Sequence, residues 1–281
     1  MNEPVTDGDG GLVLNRNYYP SLGPDGMGDS PGDIVDELCA HLGSILRETY
    51  PDARVHKSKR GPKIHFGAEV EGQDPTVDMV VAMNRKDGPG IWIPNLKTGE
   101  WEASDPEGHV ELLNYGQSAF RSTRRKVTRL AKAWNKQFYV PGVSSFEISV
   151  WAYEFVTPGL GAAKGLYTLL DGAATRLESG EPTVDPAGAS ADLKLLKEAS
   201  TVAARLRKAA NALAVALHSD SDVEVLEAMS VVFFGYIDAP QESALKNAVQ
   251  QLSTGIPVSA AALGVQVAAT TSPSRSYGGH G

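Results

Sequence analysis

Cysteine is almost absent: the 281 residues contain one, Cys39, so no internal disulfide can form. The six histidines are scattered, and no Cys/His spacing has the form of a zinc site. No run approaches the roughly 18 consecutive apolar residues a membrane-spanning helix needs, so no membrane partner is expected. The opening Met1-Asn2-Glu3-Pro4 lacks the basic region and apolar stretch of a secretory signal. Positive charge is short as well, with 26 Lys and Arg against 34 Asp and Glu, a net charge of −8. That balance excludes a surface built throughout to grip nucleic acid and leaves a local basic groove open. Phosphate-binding GxxxxGK[ST] and GxGxxG loops are missing, as are GxSxG and HExxH. Together these absences describe a protein of a reducing compartment, most simply the cytoplasm.

The chain is otherwise ordinary in composition, 42% hydrophobic and 21% charged, with enough length for a real core. Its first thirty residues are turn-rich, with a short strand at Leu12-Val13-Leu14. A helix is expected from Asp33 to Tyr50, where Ile34, Leu38, Leu42 and Ile45 form one stripe and Pro51 ends the run. Ile64, Phe66, Ala68 and Val70 alternate with more polar residues as a half-buried strand does. Thr76 to Met83 reads as a more deeply buried strand, and Ile91–Ile93 with Trp101 as an irregular hairpin. Helices are expected over 117–138, 145–156, 190–217, 222–235 and 240–253, with a Gly/Pro-rich loop at 178–190. Strands first and helices afterwards predict an α+β fold. The expected organisation is a core over 1–110, a helical lobe over 111–254 and a flexible tail over 255–281.

Three carboxylates and one basic helix carry chemical information. Asp78 lies inside the apolar strand TVDMVVAM, where a charge is costly to bury; alone, it is most simply a strand-end residue with a salt-bridge partner. Asp7 and Asp9 in Asp7-Gly8-Asp9-Gly10-Gly11 form either a solvated turn or, in extended backbone, a pair on one face. Such a pair repels unless a cation sits between the two. With a third carboxylate from a neighbouring strand it suits one or two Mg²⁺, which favour oxygen ligands and support in-line phosphoryl transfer. The helix over 117–138 carries Arg121, Arg124, Arg125, Lys126, Arg129, Lys132 and Lys136 and no acidic residue. Triphosphate, a nucleic-acid backbone or acidic groups elsewhere could compensate part of that charge. Lys132, beside the apolar stripe, is placed to reach a cleft. Cys39 reads as a core residue.

The order of these features resembles the bacterial cGAS/DncV-like nucleotidyltransferases, the second-messenger oligonucleotide cyclases of the polymerase-β-like superfamily. The resemblance runs over about residues 5–156. It rests on D-x-D, a long helix, TVDMVVA, the segment Ile93–His109, R-x-x-K-A-W-N and S-S-F-E. It implies a nucleotidyltransferase mixed sheet with a long packed helix, followed by a helical C-terminal lobe, with a cleft between them. The family's acidic positions fall on Asp7, Asp9 and Asp78, which would hold Mg²⁺, with Mn²⁺ as an alternative. Its triphosphate-binding lysine falls on Lys132, its phosphate-binding serine on Ser145 and its base-stacking aromatic on Phe146. The implied activity makes cyclic or linear oligonucleotides from nucleoside triphosphates in anti-phage signalling. An activator or conjugating partner at the C-terminal tail is implied too.

One departure stands out. The family's Gly-Ser pair about a dozen residues before D-x-D has no counterpart, since only six residues precede Asp7. Gly8, Gly10 and Gly11 also replace the family's usual apolar strand residues. This leaves two alternatives to an oligonucleotide cyclase: transfer to a protein or RNA acceptor, or a truncated, catalytically dead nucleotide-binding or interaction module.

Overall fold

A computed structural model describes residues 7–240, and the helix expected near 240–253 and the tail over 255–281 lie outside them. The chain divides after Gly108 into two compact units.

The first unit is a six-stranded mixed sheet. It begins with β1 (Asp7–Leu14), so the Asp-Gly-Asp-Gly-Gly segment is strand, not turn. A long loop leads to α1 (Gly32–Arg47), then β2 (Arg54–Lys57), β3 (Pro62–His65), β4 (Thr76–Asn84), β5 (Ile91–Asn95) and β6 (Glu100–Ser104). The strand expected to run on to Val70 stops at His65. Gly67 turns the backbone at φ 66°, and a Cβ there would meet the Asp52 carbonyl oxygen at 2.5 Å. β2, only four residues long and mostly exposed, has too little alternation to be seen in the sequence. The sheet order is β2-β3-β4-β5-β6, and β1 lies parallel to β4 on its other side.

Register fixes what each sheet face carries. Leu14, Val81 and Met83 cluster with Val35 and Leu22, and Ile34, Leu38 and Cys39 of α1 pack against them. Side chains alternate faces along a strand. Asp7, Asp9, Thr76 and Asp78 are therefore on the face opposite this core.

The second unit is helical. It contains α2 (Pro106–Leu113), which straddles the boundary, α3 (Ser118–Lys136), α4 (Ser145–Phe155), α5 (Ala162–Glu178), α6 (Ala199–His218) and α7 (Asp222–Val232). Its core is built from Val127, Trp134, Ile148, Trp151, Leu169, Leu170, Leu206, Leu213 and their neighbours, each less than a tenth exposed. Two expectations are corrected here. The helix expected from 190 begins only at Ala199, because residues before it spend their amides elsewhere: Leu193 N–H donates to Thr183 and Leu196 N–H to Gly142. α5 was not anticipated. Its apolar face packs closely on α3 and α4 through Gly165 and Gly172, where a Cβ would meet Val127 at 2.9 Å and the Phe155 ring at 2.7 Å.

Candidate active site

The parallel register of β1 and β4 sets Asp9 directly beside Asp78 and Asp7 beside Thr76. The Thr76 hydroxyl donates to Asp7 Oδ1 at 3.3 Å. Antiparallel β3 places Lys63 on the other side of Asp78, and its Nζ donates to Asp78 Oδ2 at 2.8 Å. The hydrogen bond to Asp78 raises the Lys63 ammonium above its ordinary value; desolvation opposes this, and the charges of Asp78, Asp7 and Asp9 reinforce it. The three carboxylates expected from the sequence thus share one sheet face, gathered near one lysine. The salt-bridge partner anticipated for Asp78 is present, and it is this lysine.

Three carboxylates on one face are the donor type that Mg²⁺ or Mn²⁺ favours. As the side chains stand, no three acidic, imidazole or thiol groups converge on a metal position among the described residues. Asp78 is turned to the lysine amine. The donor set fits a hard divalent ion in kind, and the Lys63 ammonium competes with such an ion for the Asp78 oxygens.

The other predicted residues lie in the second unit. Lys132 is half-buried on the last third of α3. Two residues on, Trp134 is buried and Asn135 spans a loop: its Nδ2 donates to the Val143 carbonyl at 2.8 Å, and its Oδ1 accepts from Gly142 N–H at 3.0 Å. That clasp fixes the approach to α4. The Ser144 hydroxyl then caps the helix, accepting from Glu147 N–H at 3.1 Å, and leaves Ser145 exposed in the first turn. Phe146 packs against His109, with ring centroids 4.7 Å apart.

Two buried carboxylates of this unit, Asp185 and the Glu147 of S-S-F-E, carry environments not visible in the sequence. Asp185 is buried and accepts from His109 Nε2, the backbone of Ala187, Ala189 and Ser190, and the Ser190 hydroxyl. Burial opposes its ionisation, yet these donors outweigh it and hold the carboxyl at about 2. Glu147 is 1% exposed, and neither of its carboxylate oxygens has a hydrogen-bond partner of good geometry. Burial pushes its carboxyl up, and the nearby Thr183 hydroxyl and Arg176 offset this only in part.

The basic residues of α3 separate by face. Arg124 is 5% exposed and donates to the Leu113 and Tyr115 carbonyls, so its charge serves the fold. Arg121, Arg125 and Arg129 instead line an open groove with Ser118 and Ser122.

This mixed sheet, backed by one helix and followed by a helical unit, is the DncV/cGAS-like nucleotidyltransferase fold. Vibrio cholerae DncV in its GTP-bound form aligns with a TM-score of 0.52 at 18% identity, over 69% of this chain and 54% of that one. The same enzyme holding the linear intermediate 5′ pppA(3′,5′)pG aligns with a TM-score of 0.52 at 15% identity, over 69% of this chain and 56% of that one. Escherichia coli DncV with bound 3′-deoxy GTP gives 0.55 at 13% identity, over 81% and 62%. The chain therefore spans less than two thirds of each of these proteins. No protein-family profile and no curated protein sequence matches it.

Proposed function

We propose that the chain is a nucleotidyltransferase that joins nucleoside triphosphates into cyclic or linear oligonucleotides, in the manner of a signal-making cyclase of anti-phage defence. The observation that carries this reading is the register bringing Asp9 beside Asp78, with Asp7 on the same face, in a sheet of this fold. Asp7, Asp9 and Asp78 would hold Mg²⁺ or Mn²⁺, which when bound neutralises phosphate charge and favours attack by a hydroxyl. The bond formed joins a ribose oxygen to an α-phosphorus, the bond broken releases pyrophosphate, and a carboxylate of this face takes the hydroxyl proton. Lys132 holds the triphosphate through charge-assisted hydrogen bonds, exposed Ser145 adds a hydroxyl to it, and Phe146 offers an aromatic face to a base. A partner protein acting at the C-terminal tail, as activator or conjugating enzyme, belongs to the same proposal.

One observation favours a second reading, a module that holds nucleotides without turning them over: the Lys63 ammonium already neutralises Asp78. Turnover of the four labelled nucleoside triphosphates, with Mg²⁺ and separately Mn²⁺, separates the two. A phosphatase-resistant product that disappears in Asp78→Asn is expected. Equal product from that variant would overturn the assignment of Asp78. Binding of nucleotide without product under either metal, unchanged in Asp78→Asn, would count for the second reading.

A further inference from the structure

The groove on α3 is lined by Arg121, Arg125 and Arg129, four residues apart, with Ser118 and Ser122 between and beside them, and encloses about 320 Å³. Residues so spaced share a helix face and stand about 6 Å apart along its axis. Like charges in this arrangement repel, and no acidic residue on α3 relieves them. Among the described residues Arg121 and Arg129 take part in no ion pair, and Arg125 has one neutral contact, donating to Asn114 Oδ1 at 2.8 Å. Arg124 shows that a guanidinium on this same helix is readily absorbed by the fold when the fold requires it. The groove arginines are not absorbed.

Guanidinium forks flanked by hydroxyls are suited to phosphate oxygens. Three of them, strung over about 12 Å of helix, exceed what one triphosphate can reach, because its phosphorus atoms are bunched within about half that length. The spacing suits successive phosphates of a nucleic-acid strand. Just ahead of α3, Tyr115 is 74% exposed while its carbonyl is held by Arg124, offering a fixed aromatic surface of the kind on which unpaired bases stack.

We propose that the Arg121–Arg125–Arg129 face of α3 binds the phosphodiester backbone of a short single-stranded oligonucleotide. The site lies wholly within the helical unit and does not depend on nucleotidyl transfer; a chain without turnover would bind the same ligand. It is a local concentration of positive charge in a protein of net charge −8.

Fluorescence anisotropy of the full chain with a labelled eight-nucleotide single-stranded RNA tests it across 50–200 mM salt. The double variant Arg121→Gln/Arg125→Gln is expected to lose at least tenfold in affinity. Its slope of log K against log salt should be shallower by about 1.4, from roughly 0.7 per phosphate contact on a single strand. Arg121→Lys/Arg125→Lys, which keeps the charge, should retain the slope. Tyr115→Ala should lose several-fold without changing the slope. No binding by the wild-type chain, or unchanged binding by a folded Gln variant, would overturn the proposal. So would inorganic triphosphate displacing the RNA at equal concentration, since that would mark a compact phosphate site.

Discussion

Asp185 and Glu147 are both buried acids in the helical unit, and their surroundings drive them in opposite directions. Asp185 is solvated by protein donors; Glu147 is not. Since Asp185 is held at about 2 in the folded chain against an ordinary 3.8, the stability it contributes is complete above pH 4. It is lost as pH falls through 2, and amounts to about 2 kcal/mol. Asp185→Asn should therefore lower the unfolding free energy at pH 7 by about that amount, with the gap closing as the pH approaches 2. Glu147 has the opposite sign: its carboxyl is raised above the ordinary 4.5, so ionisation costs stability as pH rises past that value. Glu147→Gln should gain on the wild type as pH increases from 5 to 8. Thermal unfolding from pH 2 to 8 checks both: profiles parallel to wild type below pH 4 would contradict the account of Asp185, and profiles parallel from 5 to 8 that of Glu147. Neither environment was legible in the sequence, because it depends on the loop 185–190 folding back on His109 and on what surrounds the first turn of α4.

Among the elements, α1 and α3 were readable because their apolar residues recur at helical spacing, and β4 as a nearly continuous apolar run; the β-branched residues of α4 make it less plain, and α1 stops at Arg47, short of the Tyr50 expected ahead of Pro51. α5 escaped notice although Leu166, Leu169, Leu170, Ala173, Ala174 and Leu177 make a proper stripe. Its glycines lower intrinsic helix propensity and are there for close packing, a tertiary reason invisible to a local reading. The early start expected for α6 failed for a similar reason: Leu193 and Leu196 keep the helical spacing but bond to Thr183 and Gly142 instead. Asn135 shows how a motif residue earns its place structurally, by closing the α3–α4 connection that presents Ser145. Asn135→Ala would leave a buried N–H and a buried carbonyl without partners, at about 2–4 kcal/mol. Amide exchange at Gly142 should rise with it. Unchanged exchange there would show that the clasp is not what holds this loop.

On the scale of the whole molecule, the two units differ in how they are stabilised. The helical unit has a broad core, whereas the sheet unit is held chiefly by Leu14, Leu22, Val35, Val81 and Met83 against α1. Its opposite face carries the acidic cluster and Lys63. The sequence announced the three carboxylates and their order; Lys63 was hidden in an alternating strand, where only the β3–β4 register reveals its neighbour. The Lys63 ammonium pairs with Asp78 at 2.8 Å, on oxygens that the proposed nucleotidyl transfer would use. Calorimetric titration of Mn²⁺ into the wild-type chain, Asp78→Asn and Lys63→Met tests this most directly. The account predicts measurable binding to the wild type, at least tenfold weaker binding to Asp78→Asn, and tighter binding once the competing ammonium is removed in Lys63→Met. Equal Mn²⁺ affinity in all three would contradict it.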